Sequence, residues 1–112
     1  MTIDSLREFG ANVDEGLERC MGMEDFYIEM VELGMSDEHF EILGRNLEAK
    51  DLEEAFETVH ALKGVIGNLA LGPLYDTVCE LTEHLRGQDE IDYKPLYDKL
   101  IEQRNQVKEL IK

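Results

Sequence analysis

The sequence predicts an all-α protein, an antiparallel four-helix bundle with a short N-terminal helical addition. Apolar residues recur at helical spacing along most of the chain, and no run of alternating polar and apolar residues is long enough for a strand. Capping and stop residues divide this pattern into segments of helix length. The 112 residues match one domain, expected over residues 1–112. The initial Met1 and the early helix favour a free-standing protein.

Two short helices are predicted at the N-terminus. The first spans about Ile3–Phe9 and ends at Gly10. Asn12, followed three residues later by Glu15, forms a capping box that begins the second helix, and Gly22 stops it. These two helices form the N-terminal addition to the bundle.

The segment from Glu24 to about Ala49 keeps helical spacing but contains an interruption at Gly34 and Ser36. It is either one long bent helix or two shorter helices, and we favour the bent helix. Its apolar positions are Phe26, Ile28, Met30, Val31, Leu33, Phe40, Leu43 and Leu47. The methionines of this part of the chain are predicted to fill gaps in the core; they are Met21, Met23, Met30 and Met35.

The remaining three helices have clear boundaries. Asp51 and Glu54 form a second capping box, which begins a helix that continues to about Leu69. The turn at Gly72-Pro73 begins the next helix, which ends at Gly87. The last helix is predicted at 93–111. Its cap is Asp92, and Pro95 lies in its first turn, where a missing N–H costs nothing.

The chain carries a net charge of −15, from 26 acidic and 11 basic residues. This charge disfavours nucleic acid and anionic lipid as partners. The longest uncharged run, Gly64 to Tyr75, has 12 residues and is too short to span a bilayer. Asp4 interrupts the stretch that a signal peptide would need, and Cys20 and Cys79 form no CxxC pair. We therefore expect a cytoplasmic protein with reduced thiols.

The helix that begins at Asp51 separates into two sides when its residues are placed about 100° apart. Its apolar arc, the expected core side, contains Leu52, Ala55, Val59, Leu62, Ile66 and Leu69. His60 lies on the opposite side. We call that side the His60 stripe; it comprises Glu53, Glu57, His60, Gly64 and Gly67, with Phe56 and Lys63 along one edge.

Two glycines inside a helix are unusual, because each costs about 1 kcal/mol relative to alanine. Gly64 and Gly67 lie one and two turns beyond His60 and remove side chains from the surface around it. Such a bare patch suits close approach by another protein. Phe56, Gly64, Gly67 and Asn68 are the docking candidates. The alternatives are close helix packing for the glycines, half-buried core for Phe56 and a helix-ending role for Asn68.

Lys63 is a neighbour of His60 on the helix surface, three residues further on. An imidazole nitrogen is a competent nucleophile near neutral pH, and an anion formed on the ring would lie within reach of the lysine ammonium. The alternatives are that His60 and Lys63 are ordinary surface residues. His39 and His84 lie among acidic residues, but no ligand spacing supports a metal site, and none is expected.

The run His60-Ala61-Leu62-Lys63-Gly64, followed by Gly67-Asn68-Leu69, resembles the signature of histidine-containing phosphotransfer (HPt) domains. These domains are relay modules of multistep two-component signalling. The resemblance also extends to Asn12–Met23, which looks like the family's segment entering the bundle. Two positions depart from it: Ala70 replaces a frequent glycine, and Thr82 replaces a polar residue that is often glutamate or glutamine.

The resemblance implies a four-helix bundle with an exposed phosphorylated histidine, His60, assisted by Lys63. It implies docking by receiver domains, whose aspartate exchanges the phosphoryl group, and Mg²⁺ is expected from the receiver rather than from this chain. No P-loop or kinase glycine loop is present, so we expect a phosphocarrier and not an enzyme. A monomer is expected. The alternatives are a helical adaptor that binds a partner through the Gly64/Gly67 face without phosphate, and a small enzyme using His60 as general base.

Overall fold

The computed structural model describes residues 2–112, so Met1, where the predicted domain begins, lies outside the described residues. Within this range the chain forms seven helices and no strand. They are α1 (Thr2–Phe9), α2 (Val13–Arg19), α3 (Glu24–Met35), α4 (His39–Glu48), α5 (Leu52–Asn68), α6 (Gly72–Arg86) and α7 (Lys94–Leu110).

The prediction of one long bent helix between Glu24 and Ala49 is wrong. The structure has two helices there, α3 and α4, separated by residues 36–38. The Asp37 carboxylate accepts the backbone N–H of His39 at 2.8 Å, and the N–H of Ser36 turns back to the Leu33 carbonyl at 3.2 Å. These bonds replace the regular helical ladder, so the helix ends and restarts.

Helices α4 to α7 form the bundle, with α3 continuing from the N-terminal end of α4. Helix α5 packs between α4 and α6, while α7 packs on α6 and closes the bundle against α3 and α4. The short connections at 49–51, 69–71 and 87–93 make sequential neighbours antiparallel. Helices α1 and α2 add to one end, with α1 against α7. The predicted fold class is confirmed.

The predicted N-caps are present. Asn12 Oδ1 accepts the Glu15 N–H at 3.3 Å, and Asp51 Oδ1 accepts the Glu54 N–H at 3.2 Å. The last helix begins at Lys94, one residue later than predicted, because Asp92 Oδ1 accepts the Lys94 N–H at 3.0 Å. Capping residues therefore gave these helix starts to within one residue.

The C-terminal ends of α2, α4, α5 and α6 share one geometry. In each, a non-glycine residue adopts a left-handed conformation just beyond the helix: Met21, Lys50, Ala70 and Gln88, with φ between 51° and 58°. After α5, the Ala70 N–H bonds to the Gly67 carbonyl at 3.1 Å and the Leu71 N–H to the Ile66 carbonyl at 3.4 Å. This is the Schellman pattern, which usually places glycine at the left-handed position. After α6 the residue is Gln88, whereas Gly87 keeps a φ of −80°.

Helices α2 and α3 are fixed across the C-terminal end of α5. The buried Tyr27 hydroxyl donates to the Leu69 carbonyl at 2.8 Å, and burial raises the pKa of this phenol to about 12. Gly16 leaves room for the Tyr27 ring, and a side chain at Gly34 would overlap Leu69. These contacts determine where the N-terminal helices lie relative to the His60 stripe.

The prediction that the four methionines fill the core is wrong for two of them. Met35 is fully buried and Met30 is half-buried, but Met21 is 80% exposed and Met23 is 48% exposed. Met21 and Met23 lie in the turn between α2 and α3, outside the helical pattern that places a side chain toward the core.

Candidate functional site

Helix α5 presents the two sides that its sequence predicted. Ala55, Val59, Leu62 and Ile66 are fully buried, Leu69 is buried, and Leu52 at the first turn is half-buried. His60, near the middle of the helix, is exposed on the opposite side together with Glu53, Glu57 and Gly64. The imidazole therefore projects from a rigid helix that the core holds in place.

The His60 ring has no hydrogen-bond or ion-pair partner within residues 2–112, and its ring contact is with Phe56. The two ring centroids lie 6.2 Å apart with an angle of 29° between the planes. The other two histidines have carboxylate partners: His39 Nδ1 lies 2.6 Å from Asp37 and His84 Nδ1 lies 2.8 Å from Asp89. Both nitrogens of His60 are thus available to an incoming group.

Lys63 is half-buried along the edge of the stripe, one turn beyond His60. In the described part of the chain no carboxylate lies within ion-pair distance of its ammonium. A lysine with a flexible stem and no acidic partner can move toward an anion that forms on the neighbouring ring.

The two glycines of the stripe differ in their surroundings. A Cβ at Gly64 would meet nothing within 4 Å, so this position is open to solvent. A Cβ at Gly67 would lie 3.1 Å from Cε1 of Tyr75 on α6. Gly64 therefore bares the surface beside His60, whereas Gly67 makes room for the Tyr75 ring.

A shallow groove of about 580 Å³ runs from His60 toward the C-terminal end of α5. Its lining includes His60, Lys63, Gly64 and Gly67. It also includes residues that were not predicted to belong to the site, which are Asn12, Glu15, Arg19 and Tyr75. The groove thus combines the α5 stripe with side chains from α2 and α6.

Arg19 lies at the end of this groove that is farther from His60. Its Nη1 donates to the Gly67 carbonyl at 2.6 Å and to the Asn68 carbonyl at 3.2 Å, and its other nitrogen pairs with Glu15. A cation at the C-terminal end of a helix is stabilised by the unpaired carbonyls and the helix dipole. Asn68 is exposed and is the last residue of α5.

Phe56, on the same edge of the stripe as Lys63, lies beside α6. Phe56 is half-buried and packs on the core, which agrees with the alternative that it is a half-buried core residue. The Arg86 guanidinium lies 5.8 Å from the centre of the Phe56 ring and pairs with Glu83. Arg86 thus places a positive charge beside Phe56, although Glu83 pairs with it.

A model of the Hpt domain family matches residues 31–111, from the second half of α3 to the end of the bundle. That span is well over half of the chain. The chain belongs to the Hpt domain family. Separate comparisons with curated proteins and with solved structures found no match.

Hpt domains are phosphotransfer intermediates rather than kinases, and they interact with receiver domains. The matched residues of this Hpt domain include all of the His60 stripe and all of α4 to α7. Helices α1 and α2 precede the match, so the resemblance expected for Asn12–Met23 lies outside it. Among residues 2–112, no helix has the length and apolar character needed to cross a membrane.

Thr82 and Ala70, the two positions that depart from the family pattern, have clear structural roles. Thr82 is buried on α6 and donates its hydroxyl to the Val78 carbonyl at 2.7 Å. Ala70 occupies the left-handed position after α5 with a φ of 58°. Ala70 thus holds a conformation that only glycine adopts without steric cost.

Proposed function

We propose that His60 accepts a phosphoryl group from the aspartyl phosphate of one receiver domain and passes it to the aspartate of another. The observation that carries this proposal is the unpaired and exposed His60 ring, which lies beside open space at Gly64 on the surface of an Hpt domain. Neither His39 nor His84 has these properties, since each has a carboxylate partner.

The proposed transfer consists of two in-line displacements. In the first, the lone pair of a neutral His60 ring nitrogen attacks phosphorus. The bond between phosphorus and the aspartyl oxygen breaks, and the receiver regains its free carboxylate. In the second, the carboxylate of another receiver attacks phosphorus and the ring nitrogen leaves with its electron pair. The chain ends each cycle unchanged, as a carrier does.

Two residues support the ring in this proposal. Phe56, whose ring centroid lies 6.2 Å from that of the imidazole, is proposed to limit how the imidazole turns when a receiver approaches. Lys63, which has no acidic partner in the described chain, supplies positive charge to the phosphoryl oxygens. Mg²⁺, when required, is assigned to the receiver.

The proposed docking surface uses Phe56, Gly64, Gly67 and Asn68. Gly64 lets the receiver approach the helix backbone, and Gly67 acts through Tyr75, whose ring occupies the space that a side chain would take. We also propose that the protein is cytoplasmic and monomeric. The net charge of −15 supports the monomer, because it opposes self-association.

The test is phosphotransfer from a purified receiver carrying an aspartyl phosphate to the wild type and to His60→Gln, His39→Gln and His84→Gln. We expect label on the wild type, His39→Gln and His84→Gln and none on His60→Gln, although all four proteins fold. The label should be lost in brief acid and survive base, as a phosphorus–nitrogen bond does. Label that persists in His60→Gln would contradict the assignment. Receiver binding without any label would favour the adaptor.

A further inference from the structure

A second groove lies between α1 and α7 of this Hpt domain. It has a volume of about 940 Å³. Its apolar lining consists of half-buried side chains, which are Phe9 on α1 and Tyr97, Ile101 and Leu110 on α7. We call it the α1/α7 groove. Among the described residues it shares no lining residue with the groove beside His60, so the proposed phosphotransfer does not account for it.

Acidic side chains border the α1/α7 groove from three helices. They are Glu8 on α1, Glu41 on α4, and Asp98, Glu102 and Glu109 on α7. Three of them pair with a basic side chain of this protein. Glu8 and Glu102 are exposed and have no ion pair within residues 2–112. An unpaired carboxylate therefore remains on each of the two helices that form the groove.

The basic side chain in the described lining is Arg104, and its charge already has a partner. The side chain is only 12% exposed, and its Nη1 donates to the Glu41 carboxylate at 3.3 Å. The guanidinium carbon lies 5.1 Å from the centre of the buried Phe40 ring. An approaching partner therefore meets an apolar surface with a net negative border.

The length of the α1/α7 groove fits a helical occupant. Between Tyr97 and Leu110, α7 rises about 20 Å, which is also the length of a bound helix of three to four turns. Helices pack by placing the side chains of one into the groove beside another. The described chain contains no strand, so an extended segment has no sheet edge there to join.

We propose that the α1/α7 groove binds an amphipathic helix of a partner protein, with apolar side chains in the groove and lysine or arginine along the border. Charge complementarity selects this occupant, because the border is acidic on both sides. A second copy of this chain fits less well, since each copy carries a net charge of −15. This inference does not depend on the function proposed for His60.

A helix bound in the α1/α7 groove leaves the His60 stripe accessible. Helices α5 and α7 each pack against α4 and α6, so they lie diagonally across the bundle. The groove is lined by α7 and by no described residue of α5. The partner helix would thus hold this domain in place while a receiver approaches His60.

The experiment titrates isotope-labelled protein with a synthetic peptide of about 14 residues that folds as an amphipathic helix of leucine and lysine. The NMR chemical shifts of the protein report where the peptide binds. We expect changes at the backbone amides of α1 and α7 and none at His60. A peptide of the same pattern with glutamate in place of lysine should not bind, because the acidic border repels it.

The double variant Glu8→Gln/Glu102→Gln should weaken binding of the lysine peptide about fivefold, as expected for the loss of two exposed ion pairs. The matched control is Glu53→Gln/Glu57→Gln, which removes the same charge from exposed positions on α5 and should bind as the wild type does. All the substituted side chains are exposed, so the thermal midpoint should hold in both variants.

Chemical-shift changes centred on His60, or spread over the whole surface, would overturn the inference. Equal weakening by the two double variants would also overturn it, because the negative charge of the whole chain would then explain the binding. Absence of binding by the lysine peptide, or equal binding of the glutamate peptide, would overturn it as well. None of these results would affect the function proposed for His60.

Discussion

The two sides of α5 differ in whether their side chains already have partners within the protein. On the core side, Val59, Leu62 and Ile66 are fully buried, and the Thr58 hydroxyl, beside them, donates to Asn46 Oδ1 at 2.7 Å and to the Glu54 carbonyl at 2.9 Å. On the stripe, His60 and Lys63 have neither a hydrogen bond nor an ion pair in the described chain. One side of the helix is used for stability, and the other is left available to a partner.

The three histidines sharpen this comparison. His39, the first residue of α4, contacts Asp37, which lies just before that helix. His84, in the last turn of α6, contacts Asp89, which lies just after it. Glu53 and Glu57 are also close to His60 in sequence and share its side of the helix, yet neither bonds to the ring. Proximity to acidic residues therefore does not decide pairing.

The largest expected difference between the two sides is in stability. Leu62→Ala should lower the free energy of unfolding by about 3 kcal/mol, because it removes a fully buried side chain and leaves a cavity. Glu57→Ala, on the exposed side, should change it by less than about 0.5 kcal/mol. Urea denaturation measures both. A loss below about 1 kcal/mol for Leu62→Ala would break the distinction between the two sides.

A smaller effect is expected on chemistry at the edge of the stripe. Lys63→Ala should slow transfer or shorten the lifetime of phosphohistidine by roughly threefold to fivefold, since a partly exposed ion pair contributes up to about 1 kcal/mol. Stability should change little. The control is Lys99→Ala, an exposed lysine on α7. Transfer rates and lifetimes equal to those of the wild type would show that Lys63 is a surface residue without a role in transfer.

The smallest expected effect is at the turn that ends α5. Ala70→Gly should raise the free energy of unfolding by up to about 1 kcal/mol, because it relieves a left-handed alanine. Ala49, at the end of α4, has a φ of −76°. Ala49→Gly should therefore lower stability by a similar amount. Thermal unfolding of both variants tests this, and a stabilising Ala49→Gly would contradict the explanation.

Local signals in the sequence were sufficient to predict most helix boundaries and both sides of α5. Asn12 and Asp51 begin their helices through side-chain bonds to residues three positions away, and such short-range chemistry is readable from sequence. The same holds for the alternation of core and exposed positions along α5. The interruption between α3 and α4 was recognised but interpreted as a bend, whereas the Asp37 carboxylate accepts the His39 N–H there and a new helix begins.

Contacts between distant residues could not be predicted in this way. Arg19 bonds to carbonyls 48 and 49 residues further along the chain, and Tyr75 fills the space beside Gly67. Both depend on how α2 and α6 pack against α5, which a helical pattern does not specify. The exposure of Met21 and Met23 is similar, because apolar character alone does not reveal whether the core or a partner covers a side chain.

Gly64 tests most directly whether the stripe is kept bare for a partner. Gly64→Ala and Gly64→Gln should each raise the free energy of unfolding by about 0.5–1 kcal/mol, since both remove a helix glycine whose surroundings are open. Transfer from a phosphorylated receiver should persist in Gly64→Ala and fall sharply in Gly64→Gln, whose long side chain lies one turn from His60. Stability that rises while transfer falls is the predicted result. Unfolding by either substitution, or normal transfer to Gly64→Gln, would contradict it.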